Sequence, residues 1–169
     1  MTAIPEFKSD CSACAALCCM ALAFDRGEDF ALDKAAQTPC PNLDRHFACT
    51  IHETLENKGF GGCARYDCLG AGQRVTQEVF AGRNWREQPE LLAPMATAFR
   101  IMRQIHRDLE LLLVARRLPL PEALAQECEA LIAAYHPPGG WTPELLAAFQ
   151  DSDHMQRTKA FLQALRAYV

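Results

Sequence analysis

The sequence predicts a mainly α-helical protein in which an irregular, cysteine-rich N-terminal half packs on a C-terminal helical bundle. Three observations predict this class. Eight of the nine cysteines lie between residues 11 and 68, the same stretch is rich in turn residues, and apolar residues recur at helical spacing after residue 90. We expect a cysteine-cluster metal-binding region at residues 1–85 and a helical region at residues 86–169, joined in one compact unit.

The first predicted element is a helix that follows an N-capping Ser9 or Asp10 and runs to about Phe24. At about 100° per residue, this helix would place three thiols within roughly 60° of one another: Cys11, Cys14 and Cys18. The adjacent Cys19 would lie to the side, about 80° round from Cys11. Three sulfurs could then face one metal ion, while Cys19 would ligate a second metal ion or face the core.

The next four cysteines lie in irregular segments that are rich in turn residues: Cys40, Cys49, Cys63 and Cys68. A short helix is expected over residues 51–57, and residues 75–80 are interpreted as a strand or part of a turn. Irregular stretches of this length are seldom stable without a cross-link, and a bound metal ion would supply one.

Four helices are predicted in the C-terminal half, the first over residues 90–117, where apolar residues form a helical stripe. The starts of the other three are marked by residues typical of helix N-termini: Pro121, Thr142, and Ser152 or Asp153. The ninth cysteine, Cys128, lies on the apolar stripe of the second of these helices. We therefore expect Cys128 to be a buried packing residue.

The cysteine cluster predicts metal binding. No apolar segment has the length of a membrane span or the form of a secretory leader, so we expect a cytoplasmic protein with reduced thiols. There, clustered cysteines more often bind metals than form structural disulfides. Eight thiols suit two four-sulfur zinc sites, or one iron–sulfur cluster with four thiols left over. Copper(I) is another ion that thiolates select. The candidate ligands are Cys11, Cys14, Cys18, Cys19, Cys40, Cys49, Cys63 and Cys68.

Two histidines near the later cysteines are weaker candidates. His52 follows Cys49 by three residues and could supply a nitrogen ligand, although a polar residue at the edge of a short helix is the favoured interpretation. His46 is weaker still. The ligand set is therefore predicted from the thiols alone.

The pattern Cys11-x2-Cys14-x3-Cys18-Cys19, followed by CPNL, CTIH and the closing pair Cys63 and Cys68, resembles a known family. It is similar to the YkgJ-type cysteine-cluster domains, described as zinc- or iron-chelating, and to a variant attached to some pentapeptide-repeat proteins. The resemblance covers about residues 9–73; a helical half stands where that variant has its repeats. It implies metal binding by the cysteines.

The remaining composition argues against other classes. A net charge of −4 gives no reason to expect nucleic acid as a partner, and no membrane partner is expected. No nucleophilic residue and basic residue lie at a sequence spacing typical of a catalytic pair, so an enzymatic activity is not favoured. The predicted function is zinc or iron binding, structural or chelating. The alternatives are an iron–sulfur protein with a redox or accessory role, and a metal-stapled adaptor whose helical half binds a protein partner.

Overall fold

The computed structural model describes residues 4–168, and its regular elements are helices. Seven α-helices follow one another along the chain: α1 (Leu17–Ala21), α2 (Gly61–Arg65), α3 (Ala71–Arg74), α4 (Leu92–Ala115), α5 (Glu122–Tyr135), α6 (Pro143–Asp151) and α7 (His154–Ala164). Between residues 4 and 168, β-type pairing is limited to two isolated bridges, Phe24 with Lys34 and Leu43 with Cys49. The predicted mainly α-helical class is confirmed.

The continuous helix predicted from residue 11 to residue 24 is wrong. The chain forms a 3₁₀ turn at Cys11–Ala13, extends at Cys14 and adopts a left-handed conformation at Ala16 (φ 53°) before α1 begins. Asp10 does act as the predicted cap, because its side chain accepts a hydrogen bond from the Ser12 amide. The first three thiols therefore do not share one helix face.

Long-range hydrogen bonds explain this break. The Ala15 amide donates to Thr76 Oγ1 at 3.0 Å, and the Ala15 carbonyl accepts from Trp85 Nε1 at 2.7 Å. A continuous helix would need both of these backbone groups for its own ladder. Because Ala15 is buried and both groups are satisfied by partners 61 and 70 residues away, the chain leaves the helical path here.

The middle of the chain also differs from its prediction. In place of the helix predicted over residues 51–57, the chain forms two 3₁₀ turns, His52–Thr54 and Glu56–Lys58. Residues 75–80 continue α3 as a π-helical turn at Val75–Val79, in which the Phe80 amide donates to the Val75 carbonyl at 3.0 Å. The interpretation of this segment as a strand is therefore wrong. The short helices α2 and α3 have no counterpart in the sequence prediction.

The four predicted C-terminal helices are confirmed as α4 to α7. Pro121 precedes α5, Thr142 caps α6 by accepting a hydrogen bond from the Leu145 amide at 3.2 Å, and Asp153 precedes α7. Helix α4 is the centre of the bundle, because α1, α3, α5 and α6 all pack against it. Within residues 4–168, no helix combines the length and apolar content that crossing a membrane requires.

One hydrophobic core joins the two halves of the chain. Its fully buried members come from both halves, for example Leu17, Met20, Val75, Met102 and Ile105. Cys128 belongs to this core: it is 1% exposed, and its sulfur lies 3.5 Å from the Leu112 carbonyl oxygen. The predicted packing role of Cys128 is confirmed.

A buried polar cluster fixes the segment after Cys68 against α4. Arg74 Nε donates to Glu78 Oε2 at 2.9 Å, and Arg74 Nη1 lies 3.1 Å from His106 Nε2. The Leu69 carbonyl oxygen only accepts, so His106 Nδ1 donates to it at 2.5 Å; Arg74 only donates, so Nε2 accepts and the ring is neutral. Burial accordingly lowers the pKa of His106 to about 4.

Candidate metal centre

The eight N-terminal cysteines are free thiols that lie on different segments of the chain. Cys18 and Cys19 lie in α1, Cys63 lies in α2, and Cys68 precedes α3. Cys11 is exposed, whereas the other seven are half-buried: Cys14, Cys18, Cys19, Cys40, Cys49, Cys63 and Cys68. The cluster is thus accessible from solvent, in contrast to the buried Cys128.

Most of these cysteines begin a tight turn. The carbonyl oxygen of the cysteine accepts a hydrogen bond from the amide three residues later, with N···O distances of 3.0 to 3.4 Å, at Cys11, Cys40, Cys49, Cys63 and Cys68. Such a turn keeps the next backbone amides close to the sulfur. At Cys49, for example, the Ile51 amide favours the thiolate and opposes the upward shift of the pKa that burial causes.

We take four thiols together as a first thiol group, because they act on one another's pKa: Cys11, Cys14, Cys18 and Cys68. Burial raises the pKa of Cys11, and it raises the pKa of Cys14 to about 11. For both thiols, the charged neighbour with the largest further effect is Cys68. The thiols of Cys14 and Cys68, when ionised, also raise the pKa of Cys18. The sequence predicts that Cys11, Cys14 and Cys18 face one metal ion from a single helix; the structure does not place them on one helix, and Cys68 is the further thiol that acts on Cys11 and Cys14.

Helix α3 approaches the first thiol group at Gly72. A Cβ atom at this position would lie 2.6 Å from Cys14 Sγ and 3.9 Å from Cys68 Sγ. A contact of 2.6 Å is too short for a Cβ atom, so any residue other than glycine would displace the Cys14 sulfur, whereas 3.9 Å from Cys68 is an ordinary contact. Ser9 Oγ lies 3.1 Å from Cys68 Sγ on another side of that sulfur.

We take the other four thiols together as a second thiol group on the same basis: Cys19, Cys40, Cys49 and Cys63. Burial raises the pKa of Cys63 to about 11, and the neighbouring thiols of Cys19, Cys40 and Cys49 raise it further. Burial also raises the pKa of Cys49, with additional effects from Cys19 and Cys40. The Cys40 amide donates to the Cys19 carbonyl at 3.0 Å, which ties this loop to α1.

The two groups adjoin at the consecutive residues Cys18 and Cys19, whose sulfurs are 3.9 Å apart. The hydrogen bond between them raises the pKa of Cys18 and lowers the pKa of Cys19 to about 7. The two thiols therefore ionise as a pair, which loses its first proton more readily than its second. Cys11 also has Cys19 and Cys49 among its charged neighbours, so the groups lie side by side.

A buried cation lies beside the second thiol group. Lys34 is 5% exposed, and its ammonium donates to three backbone carbonyls, of Met20 at 3.3 Å, Ala35 at 3.2 Å and Thr38 at 2.7 Å. Burial lowers the pKa of Lys34, while four thiols act in the opposite direction: Cys40, Cys19, Cys18 and Cys63. No pattern in the sequence predicts this position for Lys34.

The two histidines differ in their position. His52 and Cys63 both line an open pocket of about 340 Å³, together with Glu53, Glu56 and Tyr66. His46 instead accepts a hydrogen bond from Arg45 Nε at 2.8 Å on the surface. His52 therefore shares a pocket with a thiol.

The thiols lie near one another, but their sulfur atoms do not surround a common centre. Between residues 4 and 168, no group of three or more Cys, His, Asp or Glu side chains has the arrangement needed to hold a metal ion. The donor chemistry does fit a borderline-soft or soft metal, because both groups consist of sulfur ligands. Gly72 keeps the space between Cys14 and Cys68 free of any side chain.

Comparison with known proteins adds a relative without an assigned activity. No protein-family profile matches the sequence, and no solved structure matches it. The chain is 35% identical over 157 residues to the uncharacterized protein YybG of Bacillus subtilis (strain 168). This alignment covers 93% of the chain and 56% of YybG, so the chain spans about half the length of that relative.

Proposed function

We propose that the protein binds two metal ions, zinc by preference, through the eight N-terminal cysteines. The observation that carries this proposal is the closeness of thiols from distant parts of the chain: a Cβ atom at Gly72 would lie within 4 Å of the sulfurs of both Cys14 and Cys68, and the sulfurs of Cys18 and Cys19 are 3.9 Å apart. The effects of the thiols on one another's pKa suggest two groups of four. Four thiolates per ion match the closed tetrahedral coordination of structural zinc. Cys18 and Cys19 belong to different groups, because adjacent residues do not easily reach one ion.

Zinc is preferred over iron for two reasons. Zinc accepts four thiolates at about 2.3 Å without a redox change, and two such sites would use all eight thiols. A single iron–sulfur cluster would use four and leave the other group unexplained. The role that follows is a structural or chelating one, in which the ions hold together a half of the chain that has little regular structure.

Zinc binding requires deprotonation of the thiols. Burial raises the pKa values of Cys14 and Cys63 to about 11, so both thiols are protonated at neutral pH without metal. Bound zinc must displace these protons, and its affinity therefore falls as the pH falls. Titration of metal-free protein with zinc in weakly buffered solution should release protons, with fewer released at higher starting pH.

The direct test is elemental analysis of protein purified without added metal, paired with a count of reactive thiols. We expect two zinc ions per chain, and only a small fraction of the cluster thiols reactive before denaturation. Cys14→Ser and Cys63→Ser, one in each group, should each lose one zinc ion. Cys128→Ser is the matched control and should keep both, because this thiol lies in the core.

Each other outcome of the metal and thiol measurements has a defined meaning. Protein with no stoichiometric metal and eight freely reactive thiols would contradict the proposal. Brown, anaerobically purified protein with iron and sulfide would replace it with the iron–sulfur alternative. Copper as the dominant metal would keep the thiolate sites but change the ion.

A further inference from the structure

An open groove of about 560 Å³ lies between α4 and α7 in the helical half. Both helices pack against α5, and the groove is lined by residues of α4, of α7 and of the 3₁₀ turn Leu165–Ala167. Its lining residues on α4 run from Gln104 to Leu111 at spacings of three and four, which is one helix face over two turns, about 10 Å. The groove therefore offers a place for a further short helix beside two existing ones.

The groove exposes apolar surface, which we call the apolar strip: Leu111 of α4, and Met155 and Leu162 of α7. Leu111 is 42% exposed, and Met155 and Leu162 are only partly buried against the core. Val114, three residues after Leu111 on the same side of α4, is 56% exposed. Exposed apolar surface that is rimmed by polar residues is typical of a protein-interaction site.

Three exposed cations also line the groove, and we call them the basic rim: Arg107, Lys159 and Arg166. The ion pairs formed between residues 4 and 168 include none of the three. Arg157, which is also on α7 but outside the groove lining, is by contrast paired with Glu127 at 2.8 Å. In a chain of net charge −4, three such cations around one groove attract a negatively charged partner.

The acidic residue of the lining, Asp108, does not cancel this charge at the surface. It is 7% exposed, and its two carboxylate oxygens accept hydrogen bonds from Gln104 at 2.8 Å and from the Tyr135 hydroxyl at 3.1 Å. Asp108 is thus engaged within the protein, and the exposed charges of the lining are positive. Among the residues that the structure describes, the lining includes no aromatic side chain on which a nucleobase could stack, which favours a protein partner over a nucleic acid.

We propose that this groove is the docking site for a short amphipathic helix of a partner protein that carries aspartate or glutamate beside its apolar residues. The apolar residues of the partner would pack on the apolar strip, and its carboxylates would pair with the basic rim. The strip supplies the contact area, and the rim selects the charge of the partner. The inference concerns the helical half and does not depend on metal binding by the cysteines.

The probe for this site is a synthetic amphipathic peptide with leucines at positions i, i+4 and i+7 of a helix and glutamates on both sides of them. Fluorescence anisotropy with the 169-residue chain should show saturable binding that weakens as the salt concentration rises, because the ion pairs are exposed. A peptide with lysine in place of each glutamate, and one with alanine in place of each leucine, should each bind at least about tenfold more weakly.

Two substitutions test the groove itself. Arg107→Glu in the basic rim and Leu111→Gln in the apolar strip should each weaken binding of the acidic peptide by about tenfold. The matched controls are Arg26→Glu, at an exposed arginine of the cysteine-rich half, and Leu145→Gln, at a leucine of α6 that is 45% exposed. Neither control should change the affinity. Because all four positions are exposed, the circular dichroism of each variant should match that of the unmodified protein.

The outcomes that would overturn the inference are distinct from one another. They include failure of the acidic peptide to bind, and binding of either control peptide at least as tightly. Unchanged affinity in both groove variants would place the binding elsewhere and also overturn it. Self-association of the protein in sedimentation experiments, lost in the Arg107→Glu variant, would assign the groove to a second copy of the chain instead of a partner. None of these outcomes depends on zinc, so a failure of the proposed metal binding is recognised separately, by elemental analysis.

Discussion

The segment from residue 22 to residue 59 and helix α4 show two different ways of holding a chain in place. Half of the 24 residues of α4 are buried, and their side chains form the centre of the hydrophobic core. In the segment from residue 22 to residue 59 the buried residue is Lys34, and regular structure amounts to two short 3₁₀ turns and two isolated bridges. Apolar burial stabilises the first region more than the second, whose apolar side chains, such as Leu43 and Phe47, pack against the core only partly buried. The difference indicates where bound metal would matter.

Metal removal should give the largest effect. Structural zinc contributes on the order of 10 kcal/mol to the folding of small metal-bound domains, and residues 22–59 add only partly buried apolar side chains to the core. Chelation should therefore increase amide hydrogen exchange sharply across residues 22–59 while α4 and α5 keep their protection. Identical exchange with and without chelator in the cysteine-rich half would remove the distinction between the two regions.

A methyl group at Gly72 should give the next largest effect. Gly72→Ala favours helix α3 by propensity, but its Cβ would displace the sulfur of Cys14. We expect metal affinity at the first site to fall by about tenfold or more, with the second site unaffected. Gly27→Ala is the matched control, since no atom lies within 4 Å of a Cβ there. Equal zinc affinities in the two variants would show that Gly72 has no special relation to the site.

The polar cluster between the regions should make stability depend on pH. His106 has a pKa lowered to about 4 in the folded protein, below the ordinary value of 6.5. The unfolded chain therefore binds the proton first, and up to about 3 kcal/mol of stability present above pH 6.5 is lost as the pH falls toward 4. Urea unfolding at several pH values measures this loss. His106→Gln should flatten the curve in that window, and an unchanged slope would contradict the assignment.

The smallest effect is expected in the core of the helical half. Cys128→Ala removes one buried sulfur next to Leu112 and should lower the free energy of unfolding by about 1 kcal/mol. Zinc content should stay the same, because this cysteine belongs to neither thiol group. A loss of zinc in this variant would mean that the two regions are coupled more closely than the core contacts indicate.

Sequence prediction succeeded where the determining interactions are local. Thr142 caps α6 through a hydrogen bond to Leu145, three residues away, and Pro121 directly precedes α5, so each signal lies beside its helix. The predicted N-terminal helix failed because Thr76 and Trp85 bind the backbone of Ala15 across 61 and 70 residues. The pattern of apolar residues within residues 9–24 carries no information about hydrogen-bond partners so far along the chain.

The candidate site was predictable in composition but not in grouping. Counting the cysteines predicts eight thiolate ligands, yet only the folded chain brings Cys68 and Gly72 beside Cys14. Lys34 was missed because a lysine in a loop is normally exposed; its burial depends on carbonyls that only the fold supplies. The metal identity, the resemblance to cysteine-cluster domains and a protein partner for the helical half stay predictions.

X-ray absorption at the zinc edge, recorded on the protein loaded with two equivalents, tests the central claim most directly. Two sites built from the thiol groups predict an average of four sulfur neighbours at about 2.3 Å and no nitrogen or oxygen shell. A spectrum dominated by nitrogen or oxygen neighbours, with His52 or carboxylates as the ligands, or a protein that retains no zinc for measurement, would contradict it.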